Sequence, residues 1–505
     1  MNTASDHVHG AGNAALDSSA LEPDAVPALR AAEAPGFQVP SGSLVGEPGV
    51  EATAVHPAEG SGDATPPEAG TPSGYSLWRD RRYLTWLASD TSLGLGGAVA
   101  NFAIPLIALA ATGSPVQAGL IGSVSMIVRL VSTLIGGVMA DRFNRLSLMV
   151  LGCLVGIVFA IVFAGLAAMD VLTFVVLLAF GMAWQLRGGL FYVAGEAVIK
   201  DVVPDESMGR AQAANQARDA AIGIAGGPLG GVLLAVGAWL VAAVMAACQL
   251  VALITAMVLR RGERAESGAA SASPTSRNEA DADAPGGGSP SAWADAKEGV
   301  VWLFRRADLR GVLVVATLIN LGFNAGMTTV VFSLQLGGHS PQVIGGLAAS
   351  VSAVMLVGAV LAPMIVSRVK AGTLVLLGLT LASAGMLSLV FVQGVGAIIA
   401  VLAAGVLLIP GLNAGLIGYQ MVATPRRLLG RVNSALGVTS MAAMPLAPII
   451  AGFGLEWVGR TGTLLVAGGI CVVATLLTLA SPSLRALPKE SGWKAHAARF
   501  GSNGS

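Results

Sequence analysis

From about position 84 to position 479 the chain alternates long apolar stretches with short polar punctuation. The stretches run roughly Leu84–Ala110, Val116–Ala140, Leu148–Ala168, Val171–Ile199, Met208–Val236, Ala238–Leu259, Gly311–Leu336, Pro341–Val366, Ala371–Val392, Ala397–Val422, Leu429–Leu455 and Thr461–Leu479. At about 1.5 Å of rise per helical residue, each is long enough to cross a bilayer core of about 30 Å. The backbone of such a segment must satisfy itself in lipid, which a helix does unaided. The pattern therefore predicts an all-α polytopic membrane protein with twelve transmembrane helices.

Three regions fall outside this rhythm. Residues 1–74 are rich in Ala, Gly, Pro, Ser and acidic residues and contain one basic residue, Arg30. They read as a disordered cytoplasmic tail without the features of a signal peptide. Residues 261–292 have a similar composition and read as a flexible cytoplasmic linker. It separates a bundle over 78–260 from a second bundle over 310–481. Residues 293–309 suit an amphipathic cytoplasmic segment, with Trp293, Val300, Trp302, Leu303 and Phe304 on one face, or the start of the seventh span. Residues 482–505 are expected to be a cytoplasmic tail.

The second half repeats features of the first. Pro204, Gly209 and Arg210 recur as Pro425, Gly430 and Arg431, displaced by 221 positions. Gly119, Ser123, Val124 and Ser125 recur as Gly346, Ser350, Val351 and Ser352, displaced by 227. Two pseudo-symmetric six-helix bundles follow. Charge then orients them: of the 29 Lys and Arg residues, only Arg129, Arg187, Arg218 and Arg460 lie away from the side that holds both termini. Basic residues stay cytoplasmic, so both ends are expected inside, in the inner membrane.

Composition agrees, at 54% hydrophobic and 11% charged. Cys153, Cys248 and Cys471 lie in apolar runs without disulfide or metal spacing, and His7 and His9 lie alone in the acidic tail. There is no nucleophile with a base and no phosphate-binding loop, and no nucleic-acid partner is expected. These features speak against an enzyme, an ATP-driven pump and any cofactor, and leave a membrane transporter or a membrane-embedded scaffold or receptor.

The polar residues inside the spans are few. Asp90 lies two turns into the first, Arg129 near the centre of the second, Arg187 and Glu196 in the fourth, and Arg218 and Asp219 in the fifth. Charge against lipid is costly, so these groups are expected to face the interior or pair. Gln212, Asn215, Gln216 and Asp219 form a polar stripe on the fifth span, while Asn320, Asn324, Asn413 and Gln420 add polarity to the seventh and tenth. They are candidate cavity-lining residues for a polar substrate, or interhelical hydrogen-bonding groups.

Between the second and third spans lies Gly137, Asp141, Arg142, Arg145, with Asn144 between the arginines. The spacing resembles the signature loop of major facilitator superfamily transporters, with Asn144 in place of the usual Gly. The fifth span contains Gly223, Gly227, Pro228 and Gly231. This resembles the motif of the superfamily's antiporter branch, with Val232 in place of its last Gly. Together with the acid in the first span, the order of motifs is similar to that of twelve-span proton-coupled exporters of drugs and siderophores.

The resemblance implies alternating access by a monomer, a small amphipathic substrate, a proton counter-ion, and gating through the Asp141 loop. Asp90 and Asp219 are then the candidate proton carriers, with Arg129, Arg187 and Arg218 as switching partners. Desolvation favours a carboxyl's neutral form and an adjacent guanidinium its charged form, which is the opposition that coupling needs. The same features leave open an importer of a small nutrient.

Overall fold

The computed structural model describes residues 76–271, 306–425, 432 and 442–501. The expected N-terminal tail, most of the linker and amphipathic segment, Arg426 to Arg431 and the start of the eleventh span lie outside the described residues. The principal helices are α1 (Arg81–Thr112), α2 (Pro115–Arg142), α3 (Arg145–Ala168), α4 (Phe174–Ala197), α5 (Met208–Val236) and α6 (Ala238–Ser271). They continue as α7 (Ala307–Leu336), α8 (Pro341–Arg368), α9 (Ala371–Ser388), α10 (Val395–Ala423), α11 (Leu446–Trp457), α12 (Gly459–Ala480) and α13 (Trp493–Gly501). Among the described residues, 11 helices are long and apolar enough to cross a membrane, and the apolar α11 is shorter.

Local chemistry sets the boundaries. The Asp80 carboxylate accepts from the amides of Arg82 at 2.7 Å and Tyr83 at 3.4 Å and so starts α1. Ser114 caps α2 ahead of Pro115, whose missing N–H costs nothing in the first turn. Asn144 caps α3, its side-chain oxygen taking the Ser147 amide at 2.8 Å. Helix α4 starts at Phe174, later than the apolar pattern from Val171 suggests, because Asp170 takes a left-handed φ of 56° and Thr173 supplies the cap. Helix α9 stops at Ser388, short of Val392, and the chain turns before α10. Within α10 the helix breaks at Leu407 and Leu408, since Pro410 has no proton to give the Val406 carbonyl. Helix α6 runs on to Ser271, into the segment whose composition reads as linker.

The positive-φ residues Gly113, Asp170, Gly237, Gly338 and Gly459 all sit in the turns that follow odd-numbered helices. Antiparallel alternation collects these tight turns at one end, opposite the Asp141 loop. Helix α1 packs on α5 and α6, α2 on α4, and α3 on α4 and α6; α12 packs on α7 and α9, and α10 on α8 and α9. Stacked rings of Phe163, Phe180 and Trp184, with centroids 4.3 and 5.9 Å apart, fill the α3–α4 contact.

Two further crossings, α2 on α11 and α5 on α8, join these groups and are built alike. A methyl at Gly119 would overlap the Pro448 carbonyl, and one at Gly452 the Pro115 carbonyl. In the other crossing a methyl at Gly345 would overlap the Gly227 carbonyl, and one at Gly231 the Pro341 carbonyl, 2.5 Å away. Lipid tails are as apolar as side chains, so helix association in a membrane relies on such close backbone approach. Both crossings lie toward the tight-turn end.

After α12 the chain folds back beneath α9 and α10. The Ala371 and Gly372 amides, free at the start of α9, donate to the Pro488 and Leu487 carbonyls at 3.2 Å each. Trp493 and Ala497 of α13 join the buried cluster around Leu374, Leu416 and Tyr419.

Candidate functional site

A cavity of about 300 Å³ opens among α1, α2, α3, α4 and α5. Asp90, Asp219, Arg129 and Arg187 all line it, together with Asn101, Trp184, Gln185 and Tyr192. A second space of about 480 Å³ shares Asn101, Arg129, Trp184 and Gln185 with the first and reaches Asn324 on α7 and Pro448 on α11. Arg129 therefore stands where the two spaces meet.

The sequence leaves open which arginine approaches which acid; in the structure it is Arg218. Its Nη1 lies 2.7 Å from Asp90 Oδ2, tying α5 to α1, and its Nη2 lies 2.8 Å from Asp219 Oδ1. The Asp90 side chain is 6% exposed and that of Asp219 is 61% exposed. Arg218 also lies 5.9 Å over the Trp86 ring, whose Nε1 donates to the Gly195 carbonyl at 2.9 Å. Ser89 and Ser92 donate to the Ala252 and Cys248 carbonyls of α6, so the α1 turns around Asp90 are fixed on that side as well.

Arg129 and Arg187 are held differently. Arg187 Nη1 donates at 3.2 Å to the Gly152 carbonyl and at 3.2 Å to Gln249 Oε1, and its guanidinium lies 4.4 Å over the Trp184 ring. Its Nε is buried and donates to no protein atom among the described residues. Arg129 Nη1 donates to Gln185 Oε1 at 3.3 Å, and its guanidinium lies 6.0 Å from the Tyr192 ring. Among the described residues neither arginine makes an ion pair. Gly156 leaves the room that Gln249 and Arg187 share, since a methyl there would come within 2.9 Å of both.

The remaining candidates are scattered. On α5, Asn215 is buried and its side-chain oxygen has no partner among the described residues, while Gln212 and Gln216 are exposed and do not line the cavity. Asn320 and Asn324 donate to carbonyls of their own helix at 2.9 and 2.8 Å, and only Asn324 reaches the second space. Asn413 is exposed and Gln420 is buried, and neither lines either of the two cavities. Trp184, Gln185, Tyr192 and Gln249 were not among the sequence candidates. Gln185 and Gln249, amides within largely apolar spans, were the available signals.

At the other end of α2, Arg145 pairs with Asp201 at 3.0 Å, and both groups edge a polar hollow with Asp141, Arg82 and Glu263. Asp141 and Arg142 are exposed, and nothing packs on Gly137. In α5, Gly227 and Gly231 form the crossing with α8 and Gly226 and Gly230 the contact with α1. Pro228 lies inside the helix, and the Gly223 carbonyl, at the cavity edge, accepts from Ser352 at 3.4 Å.

The Major Facilitator Superfamily sequence model matches residues 91–425. No curated protein matches the sequence. Among solved structures the chain is similar to a bacterial homologue of the iron transporter ferroportin in an inward-facing state, with a TM-score of 0.58 and 14% identity over 80% of this chain and 99% of that one. It is also similar to a bacterial metal transporter, with a TM-score of 0.55 and 14% identity over the same shares. At that identity the likeness is one of fold.

Proposed function

Because the chain belongs to the Major Facilitator Superfamily, we propose that it is a secondary active transporter that exports a small amphipathic compound in exchange for protons. It works by alternating access between two six-helix bundles, with twelve spans and both ends in the cytoplasm. The observation that carries this reading is the buried Asp90–Arg218 pair, which joins α1 to α5 at the edge of a cavity. Charged groups at such depth mark substrate or ion pathways.

The pair also supplies a mechanism. A proton on Asp90 removes the charge that holds Arg218 to α1, and Arg218 keeps only Asp219, its neighbour on the same helix. The tie between α1 and α5 then weakens. Helix α5 also carries the glycines that seat it on α8, so a local charge change biases the crossing between the bundles. Both crossings lie at the tight-turn end, which the basic-residue bias makes the outer one. This supports an inward-facing arrangement, in which the Asp141 loop has separated from a partner that it meets when the inner side closes.

The names of both similar structures refer to metal transport. That cargo is disfavoured for this chain: Asp90 and Asp219 are already occupied by Arg218, and Arg129 and Arg187 repel a cation.

Inside-out vesicles test the proposal with a panel of labelled amphipathic compounds. Acidifying the vesicle interior should drive accumulation of a member of the panel only where the protein is present. Expulsion of preloaded compound under the same gradient indicates an importer, and no protein-dependent flux across the panel removes the transporter reading.

A further inference from the structure

The cavity is lined by two carboxylates, Asp90 and Asp219, and two guanidiniums, Arg129 and Arg187, but the two kinds of charge are not paired with one another. Asp90 and Asp219 are both engaged by Arg218. Arg129 and Arg187, on α2 and α4, line the same cavity, and among the described residues their hydrogen bonds go to neutral acceptors: Gln185, Gln249 and the Gly152 carbonyl. Glu196, the next carboxylate along α4, faces the Tyr192 hydroxyl and lies near enough to interact with the Arg129 charge, but among the described residues it makes no ion pair with either arginine. The positions of the eleventh span outside the described residues, 426–431 and 433–441, contain no Asp or Glu. Neutral acceptors orient a guanidinium but leave its charge uncompensated, and a buried unpaired cation is expensive.

The two arginines are also arranged for use. Gln185 holds Arg129 and Gln249 holds Arg187, while Trp184 supports the Arg187 plane at 4.4 Å. Arg187 Nε, buried at the cavity, still has its proton to donate. Guanidinium groups fixed by neutral neighbours and stacked on an aromatic ring offer paired N–H donors to a planar or tetrahedral oxyanion. The adjoining aromatic surface of Trp184 and Tyr192 suits an apolar body attached to that anion.

We propose that Arg129 and Arg187 form an anion-recognition site and that the transported compound carries an acidic oxyanion group, a carboxylate or phosphonate, on an aromatic or apolar body. This rests on the transporter reading above and adds the charge of its substrate. The anion supplies the counter-charge that the wall lacks. Arg129 borders both spaces, so it keeps contact with the anion as the space toward α7 and α11 changes shape.

The test uses the purified full-length protein and binding measurements that need no transport. The probes are 1-naphthoate and 1-naphthylphosphonate as anions, 1-naphthamide as the neutral match and 1-naphthylmethylammonium as the cation. Binding is read by calorimetry and by quenching of tryptophan fluorescence. An anion should bind saturably and the cation should not, with the amide at least about tenfold weaker than the anion, the order expected for losing a charge-assisted hydrogen bond. R129Q and R187Q should each weaken anion binding by about tenfold or more while leaving the amide nearly unchanged. R187K keeps the charge but loses the planar fork and should fall between wild type and R187Q, which separates recognition from misfolding. W184F should remove most of the quenching. Equal binding of anion, amide and cation overturns the proposal, as does retained anion affinity in both Gln variants or the absence of saturable binding by both anions. The two readings fail separately: anion binding without flux in proteoliposomes removes transport and keeps the site, whereas protein-dependent flux of the cation with no anion binding keeps transport and removes the site.

Discussion

The two walls of the cavity use the same residue type in opposite ways. Arg218 is closed on itself, shared between a buried Asp90 and an exposed Asp219, and its two contacts join α5 to α1. Arg129 and Arg187, on α2 and α4, are propped by amides and aromatic rings and make no ion pair among the described residues. Compensated charge holds helices together and can be released by one proton. Uncompensated charge waits for a ligand. On the proposed function, the contrast divides the cavity into a coupling side and a recognition side.

Breaking the closed side should have the largest effect. R218Q leaves the Asp90 carboxylate buried with no counter-charge, so the protein should lose about 3–5 kcal/mol of stability, read as a fall in melting temperature, and all proton-driven flux. The double variant D90N/R218Q should recover much of that stability without recovering flux, because no lone charge remains buried. If the double variant is no more stable than R218Q, the pair is not the source of the loss.

The second test concerns the crossing to which α5 transmits. G345V places a side chain against the Gly227 carbonyl and should cost about 1–3 kcal/mol and abolish transport while keeping helical circular dichroism. G137A, on the same helix as Gly119 but with nothing packed on it, should be near neutral in stability. Equal damage from both would mean that close approach at the α5–α8 crossing is not what makes Gly345 matter, since either substitution raises helix propensity.

Smaller effects sharpen the account at the loop end. D201N breaks an exposed pair with Arg145 and should change stability by no more than about 1 kcal/mol. D141N, at an exposed carboxylate, should leave expression and melting unchanged and lower transport rate if, as proposed, Asp141 acts in the state in which this end closes. Unchanged exchange and net flux in D141N would reduce the loop to a topological signal. Deleting residues 2–70 should have the smallest effect, with flux per molecule near wild type in proteoliposomes.

How far the sequence leads depends on the kind of physics involved. The spans are legible because lipid imposes an apolar run on each one, and helices α1 to α10 and α12 follow it closely. Their ends are less so: Asp170 in a left-handed conformation moved the start of α4 past Val171, and the break before Pro410 divided an otherwise continuous apolar run. In the site, Asp90, Arg218 and Asp219 stood out as charges where lipid forbids them. Their pairing did not, because it depends on where α1 and α5 cross. Trp184 and Tyr192 were hidden among residues that lipid also favours, and Gln249 gained meaning only when α6 brought it within 3.2 Å of Arg187. Of the polar stripe on α5, Asp219 lines the cavity, whereas Gln212 and Gln216 are exposed and outside its lining.

The central claim, that the Asp90–Arg218 pair couples proton movement to transport, is tested most directly by comparing two fluxes in D90N proteoliposomes. A pH gradient drives net movement, whereas counterflow of labelled against unlabelled compound at equal pH needs no net proton movement. D90N should retain counterflow at a rate near wild type and lose gradient-driven accumulation by at least about tenfold, an effect of roughly 1.4 kcal/mol or more on the coupled step. Gradient-driven accumulation in D90N at the wild-type level, with unaltered pH dependence, would contradict the claim.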